Sequence, residues 1–225
     1  MIIGAWIALR FRPSSRIVGI IMGFGAGALI AAVAYELIPE SSPRDFPSFI
    51  ALGLGAVAFY IATSLIDKRS KSKGTEGDSA QAQTGKIIVL GALLDGIPES
   101  LVLGMSLFMG DAISVAFLGA VIVSNLPESI SATSEMDRGG VPRRKIYTIW
   151  LIVLLSCVII TIVGATLIQY TPSLEGIYVK AFAAGAVLAM LADSMMPEGF
   201  QEGGRLTGLM TVIGFAFASI LALIG

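Results

Sequence analysis

The chain has 225 residues, 55% of them hydrophobic and 14% charged, with a mean hydropathy of +0.85 and a formal net charge of −1. Soluble domains carry about 25% charged residues, so this composition excludes a soluble globular fold. The near-zero charge says nothing about partners, and the lack of a basic patch with interleaved aromatics argues against nucleic acid.

A helix needs about 20 apolar residues to cross the hydrocarbon core. Met1–Leu9 is apolar but would rise only about 14 Å, so it is expected to be a short or truncated first helix that starts upstream of Met1. A cleaved signal peptide fits poorly, because Arg10 and Arg12 follow the apolar part and no small-residue cleavage site appears. Ile17–Ile38 and Phe49–Ile66 are the second and third spans. The next stretch, 67–86, is polar and rich in Gly and Ser, and is expected to be a flexible cytoplasmic linker. Ile87–Met109, Ala112–Ser134, Ile146–Ile168, Ile177–Met196 and Leu206–Gly225 complete the set. The expected fold is an all-α polytopic membrane protein, a single domain over 1–225 with about eight transmembrane helices. The lone cysteine, Cys157, lies inside the sixth span, cannot form an intramolecular disulfide, and is expected to pack.

Lys and Arg favour loops that stay in the cytoplasm. Alternate loops hold Arg10, Arg12 and Arg16; then Lys68, Arg69, Lys71, Lys73 and Lys86; then Arg138, Arg143, Arg144 and Lys145; then Arg205. The other loops hold only Arg44 and Lys180 of the chain's 15 basic residues. This asymmetry supports eight crossings in the cell (inner) membrane, with both termini outside.

Two segments align without gaps. FGAGALIAAVAYELIPE (Phe24 to Glu40) and FAAGAVLAMLADSMMPE (Phe182 to Glu198) share eight of 17 positions, including the closing Pro-Glu. The loop charges make the second helix run outward and the seventh inward, so the repeat is inverted. Such repeats are a hallmark of alternating-access transporters. The fourth and fifth helices form a second pair, with Asp95-Gly96-Ile97-Pro98-Glu99-Ser100 matching Ser124-Asn125-Leu126-Pro127-Glu128-Ser129. Three helices, two central helices and three helices then make a 3+2+3 inverted-repeat bundle.

The paired motifs carry the chemistry. A proline inside a helix removes a backbone hydrogen bond, so Pro98 should free the carbonyl of Leu94 and Pro127 that of Val123. Asp95 and Glu99 share a face by their spacing of four, as do Ser124 and Glu128, with Asn125 one position round. Intramembrane acids cost at least about 2–3 kcal/mol each, and no Lys, Arg or His lies at inner membrane positions to offset them. Protons or a bound cation must do so, and a set of carboxylate, amide and carbonyl oxygens suits divalent cations. Asp95, Glu99, Ser124, Asn125 and Glu128 are therefore the candidate metal ligands. Glu36, Glu40, Glu135, Asp193 and Glu198 are candidate pathway residues. Ser124, Glu128, Ser131 and Glu135 share one helix face that can line an inward path or form the solvated end of the helix.

With these motifs the chain resembles the Zrt/Irt-like protein (ZIP) family of divalent-metal transporters over nearly its whole length. The resemblance implies a metal site built from the two prolyl motifs, with Asp95 where the family usually has His, Gly96 where it has Asn, and Glu99 and Glu128 as the matching acids. It implies transport into the cytoplasm. The chain contains no histidine, and its sixth helix carries no acid where family members with two metals place a Glu. One metal site is thus expected, shifted toward oxygen-liking ions such as Mn²⁺, Fe²⁺ or Mg²⁺, with Zn²⁺ and Cd²⁺ held less tightly. The implied partners are the metal substrate, the bilayer and a second copy of the chain as a homodimer, with no other cofactor. Proton-coupled transport of another solute and a non-transporting metal sensor are the alternatives. An intramembrane aspartyl protease lacks its pair of aspartates and a lipid phosphatase its deep Arg or His, so no enzyme is expected.

Overall fold

Small residues set how this chain packs. The computed structural model describes residues 1–38, 46–72, 91, 93, 96–104, 115–170 and 173–224, and no strand occurs among them. The helices are α1 (Ile2–Phe11), α2 (Ser15–Ala32), α3 (Phe46–Ser72), α4 (96–104), α5 (Val115–Arg138), α6 (Arg143–Tyr170), α7 (Ser173–Met190), α8 (Met196–Gly203) and α9 (Arg205–Ile224). A π-helical turn, Val33–Leu37, continues α2, and a second, Leu191–Met195, joins α7 to α8. Five runs among the described residues are long and apolar enough to cross a membrane: Ser15–Tyr35, Phe46–Leu65, Arg143–Thr166, Ile177–Gly203 and Arg205–Leu223. The protein is therefore all-α and membrane-type. α1 is shorter, at ten residues. α3 runs on to Ser72, so the polar stretch after the third span begins as the end of a helix, and 73–86 lies outside the described residues.

The helix ends have local causes. α5 stops in a Schellman motif: Val141 N–H donates to the Met136 carbonyl at 2.9 Å and Gly140 N–H to that of Asp137 at 3.1 Å. Gly140 takes φ 77°, open to glycine at little cost. Pro142 follows, so α6 starts at once. Gly204, at φ 66°, makes the one-residue joint between α8 and α9.

α2 is the central helix: 67% of its span is buried, against 11% for that of α3. The exposed faces of α3, α6 and α9 are large and apolar, including Phe49, Leu54, Tyr60, Leu155, Ile159, Ile162, Leu209, Val212 and Phe217. In water such a surface would be a liability; in a bilayer it is the lipid face. The main core gathers Met22, Leu29, Phe59, Val102, Phe117, Val187, Met190 and Met195 from α2, α3, α4, α5 and α7 with the second π turn. A second core joins α1, α5 and α6 around Trp150, whose indole N–H donates to Thr133 Oγ1 at 2.8 Å.

Lipid offers no hydrophobic drive between helices, so backbones must approach closely. Gly19, Gly23 and Gly27 run along α2 at intervals of four against Gly203, Thr207 and Thr211, so α2 and α9 run parallel. A Cβ on Gly27 would overlap the Thr211 carbonyl, and one on Gly214 the Phe24 carbonyl. The same contacts recur between α7 and α3. A Cβ on Gly185 would overlap the Leu52 carbonyl, and one on Gly55 the Phe182 carbonyl. Phe24 and Gly27 are the aligned partners of Phe182 and Gly185 in the sequence repeat. The two π turns also occupy aligned positions, Val33–Leu37 against Leu191–Met195.

The chain segments around Pro13, Glu135–Arg138 and Glu202 meet at one end of the molecule, where they line a small pocket. Arg12 Nη2 pairs there with Asp137 Oδ2 at 3.1 Å. Both side chains reach solvent, so this pair is worth at most about 1 kcal/mol.

Candidate cation-binding site

α4 carries Glu99 and α5 carries Ser124 and Asn125, and the structure brings these three together. Glu99 is only 4% exposed. Asn125 Nδ2 donates to Glu99 Oε2 at 2.6 Å, and Ser124 Oγ lies 3.4 Å from Glu99 Oε1. A buried carboxylate needs such donors, because desolvation of the charge is otherwise expensive. The short amide contact to a charged group contributes about 1.5–3 kcal/mol.

α5 holds its side chains by bonding back to its own backbone. Ser124 Oγ donates to the Val121 carbonyl at 3.0 Å and Asn125 Nδ2 to the same oxygen at 2.9 Å. Ser129 Oγ reaches the Asn125 and Leu126 carbonyls at 2.8 and 2.9 Å. Pro127 sits inside a helix that continues without interruption from Val115 to Arg138. The serine and asparagine side chains around this proline bond to the Val121, Asn125 and Leu126 carbonyls, not to the Val123 carbonyl that Pro127 leaves without its helical donor.

Glu128 is half-buried, one turn beyond Ser124. The amino end of α1 lies within electrostatic reach of Glu128 and of Cys157. Asp95 and Glu40 lie outside the described residues, as does the side chain of Glu36, which falls on the first π turn. Asp193 is exposed on the second π turn. Among the described residues no three acids or thiols converge closely enough to hold a metal by themselves.

Glu99 and Asn125 open onto a cleft of about 390 Å³ bounded by α1, α4, α5 and α6. Among the described residues its lining is mostly apolar, with Glu99, Ser100, Asn125, Cys157, Thr161 and the amino end at Met1 as the polar groups. Cys157 was not legible as a site residue from the sequence. Its sulfur stands beside Gly96: a Cβ on that glycine would come within 2.9 Å of Sγ. Only the three-dimensional contact, 61 positions apart in sequence, reveals it.

Farther along α5, Ser131 Oγ donates to Glu198 Oε1 of α8 at 2.6 Å. Glu135, Glu198 and Glu202 lie within electrostatic reach of one another. Glu202 was not singled out in the sequence, although its spacing of four from Glu198 puts both on one helix face. Its Oε2 is buried and has no hydrogen-bond partner among the described residues. Glu135 lies just past the apolar span Ala112–Ser134. Partial desolvation pushes its carboxyl above the ordinary carboxylate value, the Glu198 carboxylate adds to this, and Arg138 opposes it.

Fold and site together define an all-α protein of membrane-length helices whose interior holds a carboxylate–amide–hydroxyl cluster across two helices. No protein-family model matches the chain, and no curated protein matches it either.

Proposed function

We propose that this protein carries divalent metal cations across the membrane, into the cytoplasm, through a site formed by α4 and α5. The observation that carries this reading is Glu99, buried between two helices with its two oxygens met by Asn125 and Ser124 and facing a cleft. A buried carboxylate with neutral oxygen neighbours is a natural stop for a divalent ion. Between Lys86 and Arg138 the chain has no basic residue but six acids, so this central region favours cations.

In this reading α4 and α5 are the two central helices of a 3+2+3 inverted repeat with eight crossings. The aligned glycine contacts and aligned π turns support that internal symmetry. The meeting of the Pro13, Arg138 and Glu202 segments at one end supports placing the basic loops together on the cytoplasmic side, with both termini outside. The stripe of Ser124, Glu128, Ser131 and Glu135 on α5 leads from Glu99 toward Glu198 and Glu202 and serves as the inward path. An apolar void of about 210 Å³ between α3, α4 and α7, against Pro98, leaves α4 room to shift. The likeness of the motifs to the ZIP transporters points the same way. The protein is then a transporter and not an enzyme, resident in the cell (inner) membrane, and able to pair with a second copy. Its partners are the cation and the lipid, not nucleic acid.

Metal uptake into proteoliposomes tests the proposal. Wild-type protein accumulates divalent cation and Glu99→Ala does not. Equal uptake by the two would remove Glu99 from the route.

A further inference from the structure

We propose that the meeting of α5 and α8 is a proton-operated latch: while Glu135, Glu198 and Glu202 hold protons between them this end of the molecule stays shut, and when those protons leave, α8 and the last turn of α5 part. What the latch gates rests on the transport reading above; the latch itself is built into the fold. The end is shut in this structure. The pocket lined there by Ser131, Glu135, Arg138 and Glu202 has a volume of about 10 Å³, room for a single water at most.

Side chains make the closure. Ser131 Oγ of α5 donates to Glu198 Oε1 of α8 at 2.6 Å. Glu202 lies one turn farther along α8, and its Oε2 is buried with no hydrogen-bond partner among the described residues. An ionised oxygen there has neither water nor a donor, and a proton removes that cost. Glu135 of α5 and Glu198 and Glu202 of α8 act on one another, and Arg138 is the cation that acts on them. Arg12 is taken by Asp137 at 3.1 Å, while Arg16 and Arg205 are exposed. α2 meets α8 through Gly19, and α9 meets it through Thr207, whose Oγ1 donates to the Gly199 carbonyl at 2.8 Å, so these contacts add no charge.

One positive charge cannot balance three negative ones, and neighbouring carboxylates resist ionising together. The set therefore titrates as a unit. Partial desolvation, with the Glu198 carboxylate adding to it and Arg138 opposing, raises the Glu135 carboxyl. The docking that depends on its proton is then present at low pH and lost as pH rises through the raised value. The O–H bond breaks and the proton goes to water; no other bond forms or breaks. Repulsion then acts between α5 and α8. The last turn of α5 can yield, because Gly139 and Gly140 follow it directly, Gly140 at φ 77°.

The distance between two nitroxides tests this in the full chain, reconstituted in lipid vesicles without metal. One label sits on α8 at Gln201→Cys and the other at the start of α6 at Arg143→Cys, in protein that also carries Cys157→Ser. Both labelled positions are exposed and lie outside the cluster. As pH rises from below the ordinary carboxylate value to above neutral, a longer separation should appear and grow. With Glu135→Gln and Glu202→Gln added, neutral amides stand in for protonated carboxyls, and the short separation should persist at every pH. A melting temperature at low pH close to that of the labelled parent shows that this variant has folded. A separation that ignores pH, or that responds equally in the glutamine variant, overturns the latch. In proteoliposomes cation uptake should rise with pH on the side the cluster faces, and the glutamine variant should lose that rise. Uptake that does not respond to pH overturns the gate and leaves the transport reading standing. A pH-driven separation in a protein that moves no cation upholds the latch and overturns transport.

Discussion

Asn125 supplies the short bond to Glu99, and its loss defines the simplest test at the scale of single residues. Asn125→Ala leaves Oε2 of a buried carboxylate without its 2.6 Å donor. The expected cost is about 1–3 kcal/mol of stability, read as a lowered melting temperature in the absence of metal. Cation should restore part of that loss, because it replaces the missing donor; no restoration would argue that Glu99 holds no ion. Trp150→Phe isolates a structural bond for comparison. It strands the buried Thr133 hydroxyl at a cost of about 1–3 kcal/mol, and added metal should not recover it. Glu135 gives a pH test. Its folded carboxyl is raised, so the stability tied to its proton is present below the ordinary carboxylate value and is lost as pH rises through the raised one. Glu135→Gln should flatten the fall of melting temperature with pH across that window, and an unchanged slope would contradict the desolvation described. Much of this scale was readable in advance. Glu99, Ser124 and Asn125 were marked by two prolyl motifs with matching spacing, a local signal. Cys157 and Glu202 were not marked, because their neighbours come from other helices and from packing that no local spacing encodes.

Helix pairing rests on glycines whose missing Cβ lets a backbone in. Gly27→Ala and Gly185→Ala each drive a methyl into a backbone carbonyl, of Thr211 and Leu52 respectively, and backbone cannot yield as a flexible side chain can. Each should cost about 1–3 kcal/mol, and the two losses should be alike because the positions are equivalent. Gly53→Ala, on α3, meets nothing within 4 Å and should be neutral or stabilising by up to about 1 kcal/mol. Thermal unfolding of the three variants in detergent compares them directly; a large loss at Gly53 or none at Gly27 would refute the packing. The second, third, sixth, seventh and eighth expected spans were legible, since apolar length alone locates a membrane helix. The π turns were not. They insert one residue into a helical turn without changing composition, so Val33–Leu37 and Leu191–Met195 read in the sequence as ordinary helix. Their positions coincide when the two segments are aligned.

Across the whole molecule, exposed apolar surface and one buried acid define the character of the chain. Large apolar faces of α3, α6 and α9 are exposed, and the buried acid sits between α4 and α5. The overall membrane character followed from composition, because too few charges remain to cover a soluble surface. Which side chains of other helices line the cleft with Glu99 did not follow, because that depends on packing between distant segments, as with Cys157 beside Gly96. The central claim is that a divalent cation binds at Glu99 between these two helices. Anomalous scattering from crystals soaked in Cd²⁺ tests it most directly. A peak is expected beside Glu99, bordered by Asn125 and Ser124, and lost in Glu99→Ala; a cation found only near Glu135, Glu198 and Glu202, with density at Glu99 unchanged, would overturn binding at Glu99.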